Sequence, residues 1–546
     1  MKKDKKIKES GSSAAETAKK SEKKSKNKSQ KRRTWFNVLL RRRVEVAILL
    51  VVQIALIAWL LISGSRSSVY VNAVLNILSW VVVCMLTARQ GKGSFKLTWV
   101  ILILAFPLFG GLFYLLSNFQ SSTFAYRKKL KKIDNTLMHP AFEGCGCYEE
   151  ASAALTSHLT QIRYLEKFAG FPIWNNTLTD FLTPGEKYLE RLLVELEKAE
   201  KYIFLEYFIV EEGKMWDSIF EVLKRKVAAG VEVRLMYDDV GCFFLLPTNY
   251  RAQLEAAGIK CRVFNPFVPF LTVLQNNRDH RKICVIDGKV AFTGGINLAD
   301  EYINARQRFG HWKDSGIVLE GDAAWSFTVM FLQMWKLASS GKKTETEDDW
   351  HDYLPARDPF AAVQRNGYVQ PYADSPMDFD NVGEHVYLQM ISNAKKYLYI
   401  NTPYLIIDDS MVSALTLAAK SGVDVRIITP HRWDKRFVHI TTRSYYRDLI
   451  RAGVRIYEYS NGFLHSKTFV SDDDAATVGT TNLDFRSLYL HFECGVWMCG
   501  TSAVEQVKED FLRTMELSEE ITLETCRGTL LERIVQPVLR LFAPLM

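Results

Sequence analysis

The start of the sequence has few acidic residues to balance its many basic ones, and the rest of the chain has no excess of basic residues. Residues 1–43 hold 17 Lys/Arg against 4 Asp/Glu, a net charge of 17 − 4 = +13, whereas the whole chain carries +9. The remaining residues therefore sum to 9 − 13 = −4. A mildly acidic body does not provide the broad basic surface that binds nucleic acid, so we expect no nucleic-acid partner.

The sequence also lacks cysteines or carboxylates with the spacing that is typical of metal sites. Nine cysteines are scattered along the chain, and only Cys145 and Cys147 lie close together in sequence. A single Cys-x-Cys is weak support for a metal site, and no carboxylate cluster has the spacing typical of magnesium or zinc sites. We therefore expect neither a metal nor a cofactor, and reduced, buried thiols for several of the cysteines.

The basic surplus lies in a Lys/Ser-rich leader that contains "KKSEKKSKNKSQKRR". This composition has too few apolar side chains to form a core, so residues 1–43 are predicted to be disordered. Three consecutive arginines at 41–43 precede the first apolar segment, which favours a cytoplasmic leader.

Three apolar segments follow, at 46–63, 69–88 and 97–116, within a predicted membrane region 44–117. Each approaches the ~20 residues that cross a bilayer as a helix, which indicates a multi-pass protein of the cell membrane. The third segment contains "FPLFGG" at its middle, and the basic sequence "YRKKLKK" follows it. Three crossings would export that basic cluster. Two crossings with a re-entrant third segment keep it inside, so we expect a cytoplasmic catalytic region.

The rest of the chain contains an internal repeat of two similar copies. The sequence "AEKYIFLEYFIV" from Ala199 resembles "AKKYLYINTPYLI" from Ala394, and further matching segments follow both in the same order. Each copy alternates strands with helices, which predicts an α/β fold with mostly parallel sheets. We expect a linker at 118–180 and two pseudo-symmetric lobes at 181–365 and 366–546.

A chemically distinctive motif, His-x-Lys-x4-Asp, occurs once in each copy. Two further polar positions match between the copies, an asparagine 17 residues after each histidine and a later carboxylate. The candidate site residues are His280, Lys282, Asp287, Asn297 and Asp314 in the first copy, and His465, Lys467, Asp472, Asn482 and Glu493 in the second.

The spacing within the motif predicts its geometry. Residues i and i+2 of a strand share one face, so each histidine and its lysine project together. Asp287-Gly288 is favoured as a two-residue hairpin loop, a register that places Gly295 opposite His280, and the same offset places Thr480 opposite His465. Small residues there would leave room for a ligand. The two motif aspartates could either contact substrate or fix the turn, and both interpretations stay open here.

Paired histidines, lysines and asparagines suit chemistry at a phosphodiester. The lysines and amides would neutralise phosphate oxygens, and one histidine could form a covalent phosphohistidine. The other would protonate the leaving alkoxide and then deprotonate the incoming acceptor. Asp314 and Glu493 are candidates for orienting a histidine ring.

These paired motifs resemble the phospholipase D superfamily, and the flanking segments resemble its bacterial cardiolipin synthases. The resemblance covers about residues 68–546 and includes "DHRKICVIDGKVAFTGGINLADEY" and "KLTWVILILAFPLFGGLFYLLS". It implies transfer of a phosphatidyl group between two phosphatidylglycerol molecules, giving cardiolipin and glycerol. It also makes His280 the expected nucleophile and His465 the expected acid/base, although the near-symmetry of the motifs leaves that assignment open. The implied partners are phosphatidylglycerol and other anionic membrane lipids.

Two other functions compete with this interpretation. A membrane-bound phospholipase D would use the same residues with water as the acceptor and release phosphatidic acid. A non-catalytic scaffold would use the basic leader to bind anionic lipid. The C-terminal "RIVQPVLRLFAPLM" allows either a docked core helix, which we favour, or a helix at the membrane interface.

Overall fold

The structure is a computed structural model. It describes residues 66–118, 121–267, 273–339, 349–355, 367–378 and 380–545, with isolated positions between 51 and 62. The predicted leader and most of the first apolar segment lie outside the described residues, as does the predicted boundary between the lobes. The described residues form two compact units: a smaller one within 51–86, 99–118, 267 and 273–275, and a larger one containing the rest.

Helices of the smaller unit carry the second and third apolar segments. They are α1 (Arg66–Thr87), α2 (Gly93–Ala105), whose first residues belong to the larger unit, and α3 (Pro107–Asn118). Within α1, Val69–Thr87 has a mean hydropathy of 2.1 and is the one described helix long and apolar enough to cross a membrane.

The third apolar segment is a helical hairpin. The helix breaks at Phe106, before Pro107, and the chain folds back so that the Trp99 and Tyr114 rings lie 5.3 Å apart. A Cβ on Gly110 would meet the carbonyl oxygen of Leu102 at 2.3 Å, so only glycine permits this close packing of α2 and α3. At 1.5 Å per residue each helix is about 20 Å long, which is less than the ~30 Å hydrocarbon thickness.

The larger unit contains two sheets covered by helices. Its helices are α4 (Ser121–Ile133), α5 (His139–Phe142), α6 (Tyr148–Ala154), α7 (Leu159–Arg163), α8 (Gly185–Lys198), α9 (Lys214–Ala228), α10 (Asp239–Cys242), α11 (Tyr250–Ala256), α12 (Ala324–Leu337), α13 (Val382–Asn393), α14 (Asp409–Lys420), α15 (Arg436–Arg451), α16 (Phe485–Tyr489), α17 (Ser502–Glu516) and α18 (Leu530–Leu541). Its strands are β1 (Thr177–Leu182), β2 (Tyr202–Tyr207), β3 (Glu232–Asp238), β4 (Lys260–Phe264), β5 (Lys282–Ile286), β6 (Val290–Gly294), β7 (His311–Lys313), β8 (Gly316–Gly321), β9 (Tyr368–Asp374), β10 (Tyr397–Asn401), β11 (Asp424–Pro430), β12 (Arg455–Tyr459), β13 (Gly462–Leu464), β14 (Thr468–Ser471), β15 (Ala475–Gly479), β16 (Glu493–Cys499) and β17 (Ser518–Ile521).

The sheets repeat one topology, as the duplicated sequence predicts. The first has the order β1-β8-β6-β5-β2-β3-β4, and the second has the order β17-β12-β11-β10-β14-β15-β16-β9. The expectation of mostly parallel sheets is wrong. Within these two sheets, as the structure describes them, only β2-β3-β4 and β10-β11-β12 pair in parallel, because in each lobe the motif-bearing hairpin and the strands beyond it add antiparallel pairs.

The segment 118–180 is predicted as a linker, and its described residues 121–168 form helices that contact both lobes. Trp325 on α12 donates its indole N–H to the Ala141 carbonyl at 3.0 Å, and His158 lies 2.7 Å from Asp474 at the tip of the second motif hairpin. The segment is therefore part of the folded body rather than an extended connection.

The C-terminal helix α18 differs from the docked core helix that the sequence favours. None of its residues is buried, although it begins with a full capping box between Thr529 and Glu532. Four of its apolar side chains, Leu530, Leu531, Ile534 and Val538, are exposed.

Candidate functional site

Each motif lies on a hairpin of its sheet, β5–β6 in the first lobe and β14–β15 in the second. The loops contain three residues, not the predicted two, since Ile286 pairs with Val290 and Ser471 pairs with Ala475. This shifts the register by one residue, so the predicted pairings of His280 with Gly295 and of His465 with Thr480 are wrong.

The aspartates that end the two motifs bind main chain. Asp287 accepts hydrogen bonds from the backbone N–H groups of residues 200, 201 and 202, each at 2.8 Å. Asp472 accepts from those of residues 395, 396 and 397 at 2.7–2.9 Å. Both aspartates have positive φ, 53° and 58°. Of the two interpretations left open, the geometry favours the one in which they fix the hairpin turn.

Main-chain hydrogen bonds join the two lobes beside both histidines. The His280 N–H donates to the Phe492 carbonyl at 3.0 Å, just before β16 of the second lobe. The His465 N–H donates to the Lys313 carbonyl at 2.7 Å, at the end of the short parallel pair β7–β13. Each histidine is therefore fixed against the lobe that does not contain it.

The orienting carboxylates follow the same crossed arrangement. His280 Nδ1 lies 2.9 and 3.0 Å from the two oxygens of Glu493, which also accepts a hydrogen bond from the Thr480 hydroxyl. His465 Nδ1 lies 2.7 Å from Asp314 Oδ2, whose other oxygen accepts from the Ser315 N–H at 2.8 Å. Both predicted carboxylates thus contact a histidine ring, and each does so across the lobes.

The crossed contacts leave the same ring nitrogen available in both histidines. Nδ1 of each ring is directed at a carboxylate, and in His465 it also lies 2.9 Å from Lys467 Nζ, so Nε2 is the nitrogen that can attack phosphorus or carry a proton. Within the part of the chain that the structure describes, neither Nε2 has a hydrogen-bond partner.

Gly295 does not leave room for a ligand, although its predicted position opposite His280 suggested that it would. A Cβ there would meet Asp314 Oδ1 at 2.1 Å, so the missing side chain makes room for this carboxylate and not for a ligand. In the second lobe the equivalent residue is Thr480, whose hydroxyl contacts Glu493.

The site is almost closed to solvent. His280 and His465 are 8% and 7% exposed, and both motif lysines are buried. Burial lowers the pKa of His280 to about 3 and that of His465 to about 4, despite the opposing charges of Glu493 and Asp314. Both rings are therefore neutral at pH 7 before any anionic ligand binds.

The motif lysines have perturbed pKa values for the same reason. Burial lowers the pKa of Lys282 to about 8 and that of Lys467 to about 7. Each ammonium donates to the main-chain carbonyl of the histidine in its own motif. The charge of Lys282 also lowers the pKa values of His465 and Lys467, so groups of both motifs act on one another in one site.

The two matched asparagines have different surroundings. Asn297 accepts from the Ile209 N–H at 3.0 Å and donates to the Tyr302 hydroxyl at 2.7 Å, so both ends of its amide already bind protein. The Oδ1 atom of Asn482 is buried without a hydrogen-bond partner in the described part of the chain.

Several aromatic residues beside the histidines were not predicted, and two of them occupy equivalent positions in the two lobes. Trp312 lies 5.2 Å from the His465 ring, and His491 lies 5.5 Å from the His280 ring. Each stands two residues before the carboxylate of its strand, so the alignment of Asp314 with Glu493 was a signal that could have identified both.

Among the described residues, two groups could hold a metal by spacing alone: His280, His491 and Glu493 in the site, and His158, Asp474 and Cys499 outside it. The first group already forms the histidine–carboxylate contact. That the chemistry needs no metal stays a prediction.

The sequence matches known families over most of its length. The family model for the phospholipase D-like domain of cardiolipin synthase matches residues 192–335 and 387–515. The model for the phospholipase D-nuclease N-terminal region matches residues 74–117, which contain most of α1 together with α2 and α3. With the apolar helix α1, these matches indicate association with a membrane.

Several curated relatives align along nearly their whole length. An uncharacterized protein of Streptococcus mutans is 44% identical over 460 residues, covering 82% of this chain and 96% of the relative. Cardiolipin synthase 2 of Bacillus anthracis is 36% identical over 480 residues, covering 86% and 90%. The cardiolipin synthase of Alkalihalophilus pseudofirmus is 36% identical over 454 residues, covering 82% and 88%.

A solved structure shares the fold. The crystal structure of phosphatidylserine synthase from Haemophilus influenzae is 14% identical, with a TM-score of 0.50, covering 67% of this chain and 93% of that one. At this identity the match speaks for the two-lobed fold alone. The length and identity of the sequence matches show more: the chain belongs to the cardiolipin synthase family of phospholipase D-like proteins.

Proposed function

We propose that this protein is a cardiolipin synthase that transfers a phosphatidyl group from one phosphatidylglycerol to another. One observation carries the proposal: two neutral histidines, each oriented through Nδ1 by a carboxylate of the other lobe, stand beside two buried lysines. This arrangement provides a nucleophile, an acid/base and positive charge for one phosphodiester. The relatives named cardiolipin synthase supply the reaction class.

In the first half-reaction His280 Nε2 attacks the phosphorus of the donor. A P–N bond forms, the P–O bond to the glycerol headgroup breaks, and His465 gives its Nε2 proton to the departing oxygen. His465 acquires that proton when the anionic phosphate enters, because a nearby negative charge raises the pKa of a histidine. Glu493 stabilises the positive charge on the phosphorylated His280 ring.

In the second half-reaction the headgroup hydroxyl of another phosphatidylglycerol is the acceptor. His465 Nε2 removes the hydroxyl proton, the oxygen attacks phosphorus, and the P–N bond breaks to restore His280. The products are cardiolipin and glycerol, and His465 is protonated again for the next cycle.

The lysines and one amide hold the phosphate. Lys282 and Lys467 provide positive charge for the non-bridging oxygens, where buried cations interact strongly with developing negative charge. We assign Asn482 to the phosphate, whereas Asn297 is already engaged by Ile209 and Tyr302 and therefore acts in positioning. Asp287 and Asp472 keep the hairpin turns in place.

Burial of the reacting groups favours transfer over hydrolysis. Water in the site would compete with the lipid hydroxyl for the phosphohistidine, and the almost closed surface around both histidines limits it. A membrane-bound phospholipase D that makes phosphatidic acid remains the alternative to be tested.

For the membrane region we propose two crossings and a re-entrant hairpin, with the catalytic unit in the cytoplasm. The break at Phe106 supports this arrangement, since α2 and α3 are each too short to cross and turn back on one another. The basic sequences on either side of the hairpin then stay on the cytoplasmic side.

Product analysis tests the activity. Purified full-length protein is given phosphatidylglycerol in mixed micelles, beside a His465→Ala variant and a His351→Ala control that changes an exposed histidine outside the site. We expect the wild type and the control each to form cardiolipin and free glycerol in equal amounts. The His465→Ala variant should form neither product. Phosphatidic acid as the main product would establish hydrolysis instead, and no turnover would exclude phosphatidylglycerol as the donor.

The same variant tests the covalent step. Without His465 the deprotonation of the acceptor is impaired, so part of the enzyme should carry a phosphatidyl group on the peptide containing His280, detected by mass spectrometry. The same adduct on the peptide containing His465 in a His280→Ala variant would reverse the assignment of nucleophile and acid/base.

A further inference from the structure

The C-terminal helix α18 presents an uncovered apolar face. Leu530, Ile534 and Val538 are 75%, 64% and 53% exposed, and Leu531 is exposed beside them. Their spacing of about four residues places them along one side of the helix. No residue of this helix is buried by the part of the chain that the structure describes, so the face is left for a partner to cover.

Polar contacts on other sides of α18 hold the helix in place. Arg540 forms an ion pair with Asp448 of α15 at 2.9 Å, and its guanidinium lies 4.3 Å from the Tyr445 ring centroid. Glu532, near the start of α18, acts electrostatically on His439 of α15. The two helices therefore run side by side in the same direction, and the apolar face is presented by a fixed element.

Charge around this face differs from charge elsewhere in the body. Residues 432–451 and 527–546 together contain nine Lys/Arg and three Asp/Glu, a net charge of 9 − 3 = +6. Residues 44–546 sum to −4, so the remainder of that body carries −4 − 6 = −10. Trp433 and Phe437, before and within the first turn of α15, are also exposed. An apolar face with a basic surround matches the surface of an anionic bilayer.

The chain itself places this face near a membrane. The segment Thr87–Thr98, which directly follows the apolar helix α1, belongs to the larger unit. Lys92 pairs there with Glu384 at 2.6 Å and with Asp408 at 3.2 Å, and the Thr98 hydroxyl donates to the Leu541 carbonyl at 2.9 Å. The end of α18 is thus bonded to a residue only eleven positions beyond the candidate membrane helix.

We propose that α18 is an interfacial helix that lies in the surface of an anionic bilayer, with Leu530, Leu531, Ile534 and Val538 in the acyl boundary. The exposed Arg533 and the basic residues around the start of α15 face the lipid phosphates. This attachment is separate from the N-terminal apolar helices and does not depend on the proposed activity. It would hold the catalytic unit at the surface from which its lipid substrates come.

Hydrogen exchange of the full-length protein in lipid nanodiscs tests the proposal. A His465→Ala background prevents turnover, so the lipid composition stays constant during the measurement. We expect residues 530–541 to exchange about tenfold more slowly in discs of phosphatidylcholine with phosphatidylglycerol than in phosphatidylcholine alone. Phosphatidylserine in place of phosphatidylglycerol should give the same protection, because the interaction is with negative charge and not with the catalytic site. Helix α14, in which Leu417 is the one exposed large apolar side chain, is the internal control.

A double variant, Ile534→Glu with Val538→Glu, should remove the protection without changing the circular dichroism, because both side chains are exposed. Leu417→Glu is the matched control and should leave residues 530–541 protected. Equal exchange in anionic and zwitterionic discs would overturn the proposal, and so would protection that survives the double variant. Protection in lipid-free amphipol that rises with protein concentration would show a second copy of this chain on the face, and this outcome also overturns it.

Discussion

The two histidine–carboxylate pairs have the same plan and different surroundings. Glu493 is held by the Thr480 hydroxyl and has His491 beside it, whereas Asp314 fits into the space left by Gly295 and has the Trp312 indole N–H at 3.4 Å. Duplication therefore preserved the contact between ring and carboxylate, while the groups that support it diverged. The conserved contact is what the chemistry requires, and the supporting groups are where the two halves can acquire different roles.

The largest expected effect comes from removing the negative charge of either carboxylate. An amide in Asp314→Asn or Glu493→Gln can donate to Nδ1 and so favour the wrong tautomer, at nearly unchanged volume. We expect kcat to fall about 10²- to 10⁴-fold for each, because correct proton placement contributes on that order. Initial rates against the mole fraction of phosphatidylglycerol measure it, and a rise in KM with unchanged kcat would contradict it.

The two histidine–carboxylate pairs can be distinguished if the two amide variants impair different half-reactions. Asp314→Asn impairs His465, so we expect more covalent phosphatidyl-enzyme in this variant than in Glu493→Gln. Equal amounts of the adduct in both would mean that the two histidines exchange roles.

A buried ion pair provides a second difference between the lobes. Arg281 lies behind the first motif, 2.6 Å from Glu206, where the second lobe has the uncharged Ser466 and Asn401. Removing one member leaves an unpaired buried charge, so Arg281→Ser should lower the free energy of unfolding by about 3–5 kcal/mol. Adding Glu206→Asn, which reproduces the pair of the second lobe, should recover part of that loss, because the buried Asp279, 3.6 Å from Arg281, still lacks its cation. Thermal unfolding in detergent measures both, and a double variant no more stable than the single one would refute the interpretation.

The pH dependence of kcat/KM should reflect the loss of positive charge from the two motif lysines. Lys467 and Lys282 have pKa values lowered by burial to about 7 and about 8, so each loses its positive charge as the pH rises through its value. We expect kcat/KM to fall above this range by about tenfold per pH unit for each group that must be charged. Lys467→Arg keeps its charge at all these pH values, so the alkaline fall should move to the higher value set by Lys282. An unchanged profile in this variant would exclude Lys467 as the group that titrates.

The smallest effect is expected from making the second lobe resemble the first at one residue. Thr480→Gly introduces the residue found at Gly295 and removes one hydrogen bond to Glu493, a loss of about 0.5–1.5 kcal/mol. We expect kcat to fall about threefold to tenfold, with Thr480→Ser close to wild type. Thr481→Ala, which removes a neighbouring hydroxyl that has no hydrogen-bond partner in the described structure, is the control. A loss as large as that of Glu493→Gln would mean that the hydroxyl does more than support the carboxylate.

Local patterns in the sequence were sufficient to predict much of this molecule. Matched segments from Ala199 and Ala394 predicted two α/β lobes, and the identical spacing of the motifs located His280, Lys282, His465 and Lys467. Alignment of Asp314 with Glu493 predicted that both would contact a histidine ring. These features depend on residue order within one lobe, which a repeated sequence displays directly.

The predictions from the sequence are wrong where contacts between residues distant in sequence determine the local structure. The hairpin loops contain three residues because Asp287 and Asp472 bind backbone N–H groups 85 and 75 residues away in sequence, which a local turn rule does not include. Crossed pairing of the carboxylates depends on β7–β13 and on the contact between His280 and Phe492. Trp312 and His491 were missed for a simpler reason, since they are different residue types at equivalent positions.

Crossed orientation has a consequence for synthesis of the chain on the ribosome. When residues 1–365 have emerged, the first lobe contains His280, but the carboxylate that orients it is still 128 residues away. A nascent or truncated half therefore has a nucleophile without its correct tautomer and should leave the lipids of the membrane intact. In the proposed mechanism the enzyme becomes competent only when β16 is made and docks, so we expect the order of synthesis to keep the bilayer intact until the second lobe is complete.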